Sequence, residues 1–341
     1  MKRKKLILVS VILALCLFMT SCSSRNNIGD DKENDKSQGG ISLPCGDDYI
    51  VDIKADKEKL MISTINVTEN LSTSTATVWE SVDEGNHWEK LFEEQFVSDD
   101  AGEIYINAEI HFVGQGGILQ VFQWPKDNTK ADYSKIYYLN DFENGSMEEV
   151  KTDYDMKNLG NTYFLSADNL YGWDFMSGEL LCLDLKKGTV QRTQLDDVDM
   201  LLDVVFNGPS AYITYLSSAN VYTGIKYDVL EQKAKDAPLF EAMIEEFGKK
   251  GYNMVTGVRF YPCIKEDKEI YRYICYDGVF EFDDSGSKKI SSRVPWSRNE
   301  EVDFRKADVI SDEKIWIYYT GLNENNKYMK IDRIDLEENE Y

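Results

Sequence analysis

Histidine is almost missing from this sequence: His87 and His111 are the only two in 341 residues. Two histidines cannot form a three-histidine metal site, and neither of them stands in a recognisable nucleophile context. Cysteine is nearly as rare, with six in the chain and no pair at CxxC spacing. The sequence therefore gives no support for a metal centre, and we expect neither a metal nor another cofactor.

Basic residues are few relative to acidic ones. The chain has 38 Lys and Arg against 61 Asp and Glu, which gives a formal net charge of −23. Residues 1–21 carry four basic residues and no acidic one, so the rest of the chain carries −27. A field of this sign repels phosphate backbones and anionic lipid, so we expect no nucleic-acid partner and no direct adhesion to the bilayer surface. Solubility is the simplest interpretation of the acidity.

Long apolar runs are also lacking. The run from Leu6 to Phe18 has 13 residues with one Ser, fewer than the ~20 that a spanning helix needs. It follows residues 2–5, which are all basic, and it precedes Met19-Thr20-Ser21-Cys22. A basic start, a short apolar core and small residues form the layout of an export signal.

This segment resembles a bacterial lipoprotein signal. The resemblance implies that residues 1–21 are removed as a signal peptide and that Cys22 becomes the acylated first residue, carrying palmitate-type chains. Met19 is a less usual residue three places before that cysteine, and the alternative is an ordinary signal peptide with a chance cysteine. Each buried methylene contributes about 0.8 kcal/mol, and two chains make the attachment durable. We therefore expect a lipoprotein on the outer face of the bacterial cytoplasmic membrane, with the lipid bilayer as its partner through Cys22.

Large apolar residues are scarce again in residues 22–44, where Asn, Asp, Lys, Ser and Gly dominate. Such a segment cannot bury enough surface to fold, so we expect a disordered tether that spans roughly 25 Å on average. Residues 45–341 have a globular composition, and we expect them to form one domain. Within it, Cys263 and Cys275 fall in runs that we interpret as neighbouring strands, so they either form a disulfide or stay free and buried.

Alternation of apolar and polar residues with a period of two recurs throughout this domain and predicts an all-β fold. The exception is Pro238–Lys250, where Leu239, Met243, Ile244 and Phe247 share one face and predict a short inserted helix. The predicted strands are 60–66, 75–82, 118–124, 135–140, 179–184, 211–216, 221–230, 269–276 and 314–319.

A turn pattern repeats between these strands: an acidic residue, a few others, usually a Gly, and then the next strand. Asp accepts hydrogen bonds from amides just downstream, and Gly takes the positive φ that closes the turn. The acidic residues that begin the six copies are 43 to 58 residues apart, and they are Asp83, Asp141, Asp184, Asp228, Asp283 and Asp335. A period near 50 residues with about four strands per unit is typical of a β-propeller with four-stranded antiparallel blades.

We place six blades along the chain, and a count of seven is the alternative. The last blade has no predicted outer strand, and residues 41–45 or 49–53 could complete it, because joining the two ends of the chain removes an exposed sheet edge. The predicted blades are 49–97, 103–152, 160–196, 201–237, 251–293 and 302–341.

The sharpest copy of the turn is Ser81-Val82-Asp83-Glu84-Gly85-Asn86-His87-Trp88, which matches S-x-D-x-G-x-x-W. It resembles the motif of the Asp-box (BNR) repeat proteins, a group of sialidase-like β-propellers. The resemblance implies a hairpin between the outer strands of a blade, in which Ser81 and Asp83 bind the turn amides, Gly85 takes the strained conformation and Trp88 packs under the turn. It implies a fold and no activity.

The sialidases of this fold use three arginines that grip a carboxylate, a Tyr and Glu pair and an Asp. Arg259, Arg272 and Arg305 lie in predicted strands here, but no Arg-Ile-Pro sequence occurs near the first blade, where the family carries one of the three. We therefore assign no catalytic residue.

Two further local features have an ordinary interpretation. The acidic cluster 196–199 lacks the Gly and Glu of a calcium loop, so we interpret it as a solvated loop and expect no metal there. Trp296 follows Pro295 in a predicted loop between blades, and we expect its side chain to be exposed.

The leading hypothesis is a lipid-anchored, extracytoplasmic propeller that binds or scaffolds a glycan, a peptide or a partner protein without catalysis. The 21 Tyr and six Trp of the chain include rings suited to such contacts, because amphipathic aromatic residues are their usual anchors. The alternatives are a divergent sialidase-type glycoside hydrolase and an assembly factor for a membrane protein complex.

Overall fold

The computed structural model describes most of the chain between Ile41 and Leu336. The described residues are 41, 43–44, 48–56, 59–69, 71–98, 103–125, 133–144, 146–152, 154–155, 159–254, 257–291, 296, 301–311, 314–322 and 327–336. They all belong to one compact unit, Gly40–Tyr341. The predicted signal peptide, Cys22 and nearly all of the predicted tether lie outside the described residues. Among the described residues, no helix has the length and apolar character needed to cross a bilayer.

Six antiparallel sheets follow one another along the chain, and in each sheet the strands pair in their sequence order. The first blade is β1 (Tyr49–Asp56), β2 (Lys59–Val67), β3 (Thr73–Ser81) and β4 (Glu89–Val97). The second is β5 (Ile104–Val113), β6 (Gly116–Pro125), β7 (Tyr133–Leu139) and β8 (Met147–Glu149). The third is β9 (Phe164–Ser166), β10 (Asn169–Asp174), β11 (Glu179–Asp184) and β12 (Val190–Gln194).

The second half of the domain contains the remaining sheets and the helix. The fourth blade is β13 (Val198–Asn207), β14 (Ser210–Ser217), β15 (Tyr222–Asp228) and β16 (Lys233–Lys235), and helix α1 (Pro238–Lys250) follows it. The fifth blade is β17 (Val258–Lys265), β18 (Lys268–Cys275), β19 (Gly278–Asp283) and β20 (Gly286–Ser291). The sixth sheet is β21 (Glu301–Ser311), β22 (Lys314–Leu322) and β23 (Lys327–Asp335).

These sheets confirm the prediction of an all-β propeller with four-stranded antiparallel blades and one short helix at 238–250. Five sheets are complete four-stranded blades, close to the predicted six. The sixth sheet has three strands within the described part of the chain, at the place where no outer strand is predicted. The sheets of the described part number six, and the alternative count of seven finds no support in them.

Apolar packing closes the six sheets into a ring. Each pair of neighbouring sheets shares one apolar cluster, and the described residues form six such clusters. Strand β22 shows how strict alternation produces this arrangement: Ile317 and Tyr319 pack against the fifth blade, while Trp316 packs against the first. First strands of neighbouring sheets also contact one another, namely β1 with β5, β1 with β21, β17 with β21 and β13 with β17, so these strands lie toward the centre of the ring.

The ring closes where the sixth sheet packs on the first blade. We call this contact the closing cluster, and its buried members are Ile50, Ile53, Leu60, Ile62, Trp316, Tyr318 and Ile331. Residues 49–53 belong to β1 and pair with β2, so the expectation that they complete the sixth sheet is wrong. Among the described residues, closure therefore rests on side chains that pack between the two sheets. Of the other candidate segment, 41–45, Ile41 and Leu43 pack against the closing cluster, and residues 42 and 45 lie outside the described residues.

Helix α1 fills the space between the fourth and fifth blades. It begins with Pro238, and its buried residues include Phe240 and Phe247, which pack among the rings of both blades. Gly224 of β15 makes room for it, because a Cβ there would lie 2.8 Å from the Ile244 side chain. The helix ends at Gly251, which has a left-handed φ of 69° that suits glycine at this position.

Cys263 and Cys275 are free. They lie on the paired strands β17 and β18, but Cys263 is opposite Ile270 and Cys275 is opposite Val258. An offset of about five residues separates them by roughly 16 Å along the strands, far more than the ~4.4–6.8 Å between the Cα atoms of a disulfide. The register therefore excludes the disulfide alternative.

Candidate functional site

The turn Ser81–Trp88 joins β3 and β4, the two outer strands of the first blade. The Ser81 hydroxyl accepts a hydrogen bond from the Gly85 amide at 2.8 Å and donates one to Asp83 Oδ1 at 2.9 Å. Asp83 Oδ1 also accepts from the His87 amide at 2.8 Å, and the His87 side chain lowers the pKa of Asp83 to about 2. Gly85 has a φ of 85°, and Trp88 is partly buried against the closing cluster. These contacts hold the turn in one conformation.

The same turn fastens the first blade to the sixth sheet. Glu84 accepts a hydrogen bond from Lys314 Nζ at 2.7 Å and a second from Arg333. Lys314 begins β22 and Arg333 lies in β23, so one carboxylate binds two strands of the neighbouring sheet. On the other side of the turn, Ile41 packs so closely that a Cβ on Gly85 would lie 2.4 Å from it. The turn thus contributes to ring closure, and its contacts account for its polar residues without a catalytic role.

Replacing Glu84 with Gln should lower the free energy of unfolding by about 0.5–1 kcal/mol at neutral pH, because the ion pairs are partly exposed. Lys314 and Arg333 hold the pKa of Glu84 below its usual value. A lowered carboxyl pKa contributes stability above the unfolded-state pKa, and this contribution is lost as the pH falls through the folded-state value. Denaturant unfolding at several pH values should therefore show a difference near neutrality that shrinks as the pH falls below the usual pKa of Glu and disappears below the lowered folded-state pKa of Glu84.

Glu266→Gln is the matched control. Glu266 is an exposed turn residue, its φ of 51° is close to that of Glu84, and it has no ion pair within the described residues. Its effect should be smaller at every pH. An effect of Glu84→Gln that persists in acid would show that the charge of Glu84 does not stabilise the closure.

An open groove lies on the outer strands of the first blade, with a volume of about 370 Å³. Its floor is formed by alternate residues of β3, and its walls come from the segment before β1, the end of β2, and β4. The lining residues are Pro44, Asp48, Asn66, Thr75, Thr77, Trp79, Lys90 and Glu93. The sixth sheet packs on β1 and β2 of this same face through Ile53 and Ile62, and the groove occupies the part of the face over β3 and β4.

A β-bulge in β4 brings two charged side chains into this groove. Trp79 pairs with Lys90 and Val78 pairs with Phe92, so Leu91 is an extra residue in the ladder. In a regular strand residues three apart point to opposite faces, but the bulge places Lys90 and Glu93 on the same side. Their side chains form an ion pair at 2.6 Å.

The aromatic floor of the groove has a fixed orientation. The Trp79 indole donates a hydrogen bond from Nε1 to the Thr64 hydroxyl at 3.1 Å, and part of the ring packs against the closing cluster. Lys90 Nζ lies 5.4 Å from the ring centroid, a cation–π distance. On the opposite wall, the Asn66 side-chain amide donates to Asp48. The groove therefore combines a rigid indole with hydroxyl, amide and carboxylate groups.

The arginines considered for a sialidase-type grip do not line this groove. Arg259 Nη1 lies 3.7 Å from Asp203, and the buried Arg272 has its Nε 3.5 Å from Glu281. Each of these guanidinium groups thus faces its own carboxylate. Arg305 lies in β21, and its side chain is outside the described part of the structure.

Two other predictions can be compared with the structure. Trp296 is 5% exposed, donates to the Tyr276 carbonyl at 2.9 Å and packs edge-on against Tyr319, so the expectation of an exposed side chain is wrong. Asp196, Asp197 and Asp199 are exposed, as the solvated interpretation requires, but Asp199 lies in β13 and not in a loop. In the part of the chain that the structure describes, no three His, Cys, Asp or Glu side chains are grouped so that they could hold a metal.

Sequence reasoning missed the groove. Trp79 and Lys90 lie on different strands, and the alternation of apolar and polar residues does not show that they pair. It also does not show that Leu91 is an extra residue that brings Lys90 and Glu93 to the same side. The one signal was the outer-strand position of Trp79, two residues before the Ser81 turn.

Comparison with known proteins gives likenesses of fold only. No family model matches the chain. No curated protein is significantly similar in sequence. A Trypanosoma rangeli sialidase in complex with the inhibitor DANA aligns with a TM-score of 0.47 and 10% identity over 84% of this chain and 55% of that one. The β-propeller domain of the Trilobed protease from Pyrococcus furiosus aligns with a TM-score of 0.43 and 11% identity over 84% of each chain.

A third likeness is the Pyrococcus horikoshii acylaminoacyl peptidase, with a TM-score of 0.40, 9% identity and coverage of 85% of this chain and 52% of that one. The chain spans about half the length of the sialidase and of this peptidase. The scores are too low to carry an argument about function. The fold is a β-propeller. That assignment rests on the six sheets and their six shared clusters.

Proposed function

We propose that this protein is a non-catalytic binding module, held on the outer face of the bacterial cytoplasmic membrane by acyl chains on Cys22. The observation that carries the binding role is the open groove of about 370 Å³ on the first blade, with Trp79 in its floor and polar side chains in its walls. Ligand pockets are typically about 300–1,000 Å³ in volume and are lined mainly by apolar and aromatic side chains with a few placed polar groups. This groove has such a volume and an aromatic floor, but most of its lining is polar.

The groove lacks the arrangement that catalysis requires. Its carboxylates already have partners, since Asp48 accepts a hydrogen bond from Asn66 and Glu93 pairs with Lys90. Among its described lining residues there is no His, Ser or Cys that could act as a nucleophile or as its base. Binding without chemical conversion is the role that these residues support best.

Membrane attachment can be tested by labelling with a palmitate analogue in a bacterial host. The full chain should incorporate the label and sediment with the membrane, whereas Cys22→Ser should do neither, because it removes the thiol that carries the chains. Cys182→Ser is the control, since Cys182 is a partly buried cysteine within β11 and its replacement should leave labelling unchanged. A wild-type protein that leaves the membrane without label would refute the anchor.

The binding role can be tested by site-specific photo-crosslinking on intact cells. A photoreactive amino acid at position 90, in the groove wall, should give a discrete adduct that is lost when Trp79 is also changed to Ala. The control position is 187, an exposed lysine on the third blade, which should give no such adduct. Equal crosslinking at both positions, or sugar release from chromogenic glycosides that depends on Arg259 and Arg272, would contradict the proposal.

A further inference from the structure

We infer that the groove binds an uncharged oligosaccharide, with one sugar ring stacked on Trp79. This inference rests on the proposed binding function and specifies its ligand class. It follows from four properties of the groove: a rigid indole, a mixture of hydrogen-bond donors and acceptors, a negative charge balance, and a floor without free backbone groups.

The indole of Trp79 is suited to a sugar ring. A pyranose presents a face of C–H groups surrounded by hydroxyls, and such a face is complementary to an aromatic ring with polar groups around it. The hydrogen bond to Thr64 and the packing of the ring against the closing cluster fix the indole before any ligand arrives. Because the ring is already held, little conformational entropy is lost on binding.

The walls supply both hydrogen-bonding roles that sugar hydroxyls need. Thr75 carries a partly exposed hydroxyl that donates and accepts, and the exposed Asn66 amide also does both, whereas Thr77 is 3% exposed and lies beneath the floor. Asp48 and Glu93 carry carboxylates that only accept. Neighbouring hydroxyls on a sugar are each donor and acceptor, so they can bind this mixture.

The charge of the groove disfavours anionic ligands. Asp48 and Glu93 give two negative charges against the single positive charge of Lys90, and Lys90 is already paired with Glu93. The chain as a whole carries −23. A phosphate, a uronic acid or a sialic acid would enter against this field, whereas an uncharged sugar is indifferent to it.

The floor also disfavours an extended peptide. Strand β3 pairs with β2 on one side and β4 on the other, over almost its whole length. Its backbone groups are therefore engaged, and a peptide cannot join it as an additional strand. A ligand on the floor of this groove therefore contacts side chains of β3, which suits a sugar better than an extended peptide backbone.

The test uses the full chain, purified in a detergent without a sugar headgroup, and isothermal titration with defined oligosaccharides. The uncharged probes are cellohexaose, maltohexaose, xylohexaose, mannohexaose and chitohexaose, and the charged probes are sialyllactose and oligogalacturonate. At least one uncharged probe should bind, and Trp79→Ala should weaken its binding about tenfold or more, as truncation of a central aromatic anchor does.

Two groove positions, the partly buried Thr75 and the exposed Lys90, distinguish the ligand classes. Thr75→Val removes one groove hydroxyl with little change of shape and should weaken binding several-fold. Lys90→Ala should raise the affinity for an uncharged probe, because Lys90 covers the indole in the free protein, whereas an anionic ligand would lose affinity. Trp124→Ala is the matched control, since Trp124 is a partly exposed tryptophan on the second blade, and it should bind like wild type.

Circular dichroism melting of each variant checks that it is folded, and Thr75→Val keeps the test valid if Trp79→Ala unfolds. The inference is overturned if no uncharged probe binds, or if Trp79→Ala and Thr75→Val both bind the probe as tightly as wild type does. It is also overturned if charged probes bind and their affinity depends on Lys90. A negative titration with a position-90 crosslink still present would reject the sugar class and leave the binding function standing. Loss of the crosslink itself would reject both.

Discussion

Replacing Gly188 with alanine should destabilise the protein by about 2–5 kcal/mol. Gly188 closes the turn that begins at Asp184, and its φ is 69°, a conformation that costs an L-residue about 1–2 kcal/mol. A Cβ at this position would lie 1.7 Å from the Lys151 carbonyl oxygen, which belongs to backbone between the second and third blades. Because backbone cannot rotate away as a side chain can, the clash adds the cost of overpacking, about 1–3 kcal/mol.

Gly286→Ala provides a matched comparison for this prediction. Gly286 ends an equivalent Asp-to-Gly turn in the fifth blade with a φ of 98°, and an added Cβ there would have no atom within 4 Å. It should show the conformational cost alone, about 1–2 kcal/mol. Gly85→Ala should fall between the two, because its Cβ would meet the movable Ile41 side chain. Urea unfolding of the three variants measures the order, and equal losses at Gly188 and Gly286 would contradict the clash argument.

Trp316→Ala should cost about 3–5 kcal/mol, the range for truncation of a fully buried large aromatic residue. Trp316 is 1% exposed and belongs to the closing cluster, between the sixth sheet and the first blade. No strand crosses this contact within the described residues, so the apolar packing of the closing cluster and the ion pairs of Glu84 hold the two sheets together. The cavity left by the indole therefore weakens the one place where the ring joins the two ends of the domain.

The matched control is Trp124→Ala, which removes a partly exposed indole that packs on Tyr105 within the second blade and should cost much less. Hydrogen exchange tests the mechanism as well as the magnitude. In Trp316→Ala, amides of β1 and β22 should lose protection before those of the third and fourth blades, because the ring opens first at its weakened contact. A uniform loss of protection would show that closure is not the weak point.

The groove and the closure share strand β3. Trp79 contributes to the groove floor and packs on the closing cluster, and Ser81, two residues later, begins the turn that carries Glu84. We therefore expect variants that loosen closure, such as Trp316→Ala, also to weaken ligand binding, whereas Thr75→Val should weaken binding with little loss of stability.

Local signals in the sequence were enough for much of the fold. The predicted blades at 49–97 and 103–152 correspond to sheets that span Tyr49–Val97 and Ile104–Glu149, and the predicted helix has the observed bounds Pro238–Lys250. These features depend on side-chain alternation, turn chemistry and helical periodicity, which act over a few residues and are therefore visible in the sequence.

The candidate site could not be predicted in the same way. The burial of Trp296 depends on Tyr276 and Tyr319, which lie 20 and 23 residues away along the chain, and the groove depends on a bulge at Leu91 that a pattern of alternation does not show. The expectation that residues 49–53 complete the sixth sheet was wrong, because these residues form β1 of the first blade and pair with β2.

The amino-acid pattern thus decided that the domain is built of strands, where the Asp-initiated turns fall and that six or seven sheets succeed one another, since each of these is set by neighbours along the chain. The folded ring alone decided how the last sheet meets the first, which side chains lie under Trp316, and which face of the first blade stays open around Trp79. Those outcomes depend on contacts between residues far apart in sequence, such as Glu84 with Lys314 and Arg333, and such contacts exist only once the sheets have packed.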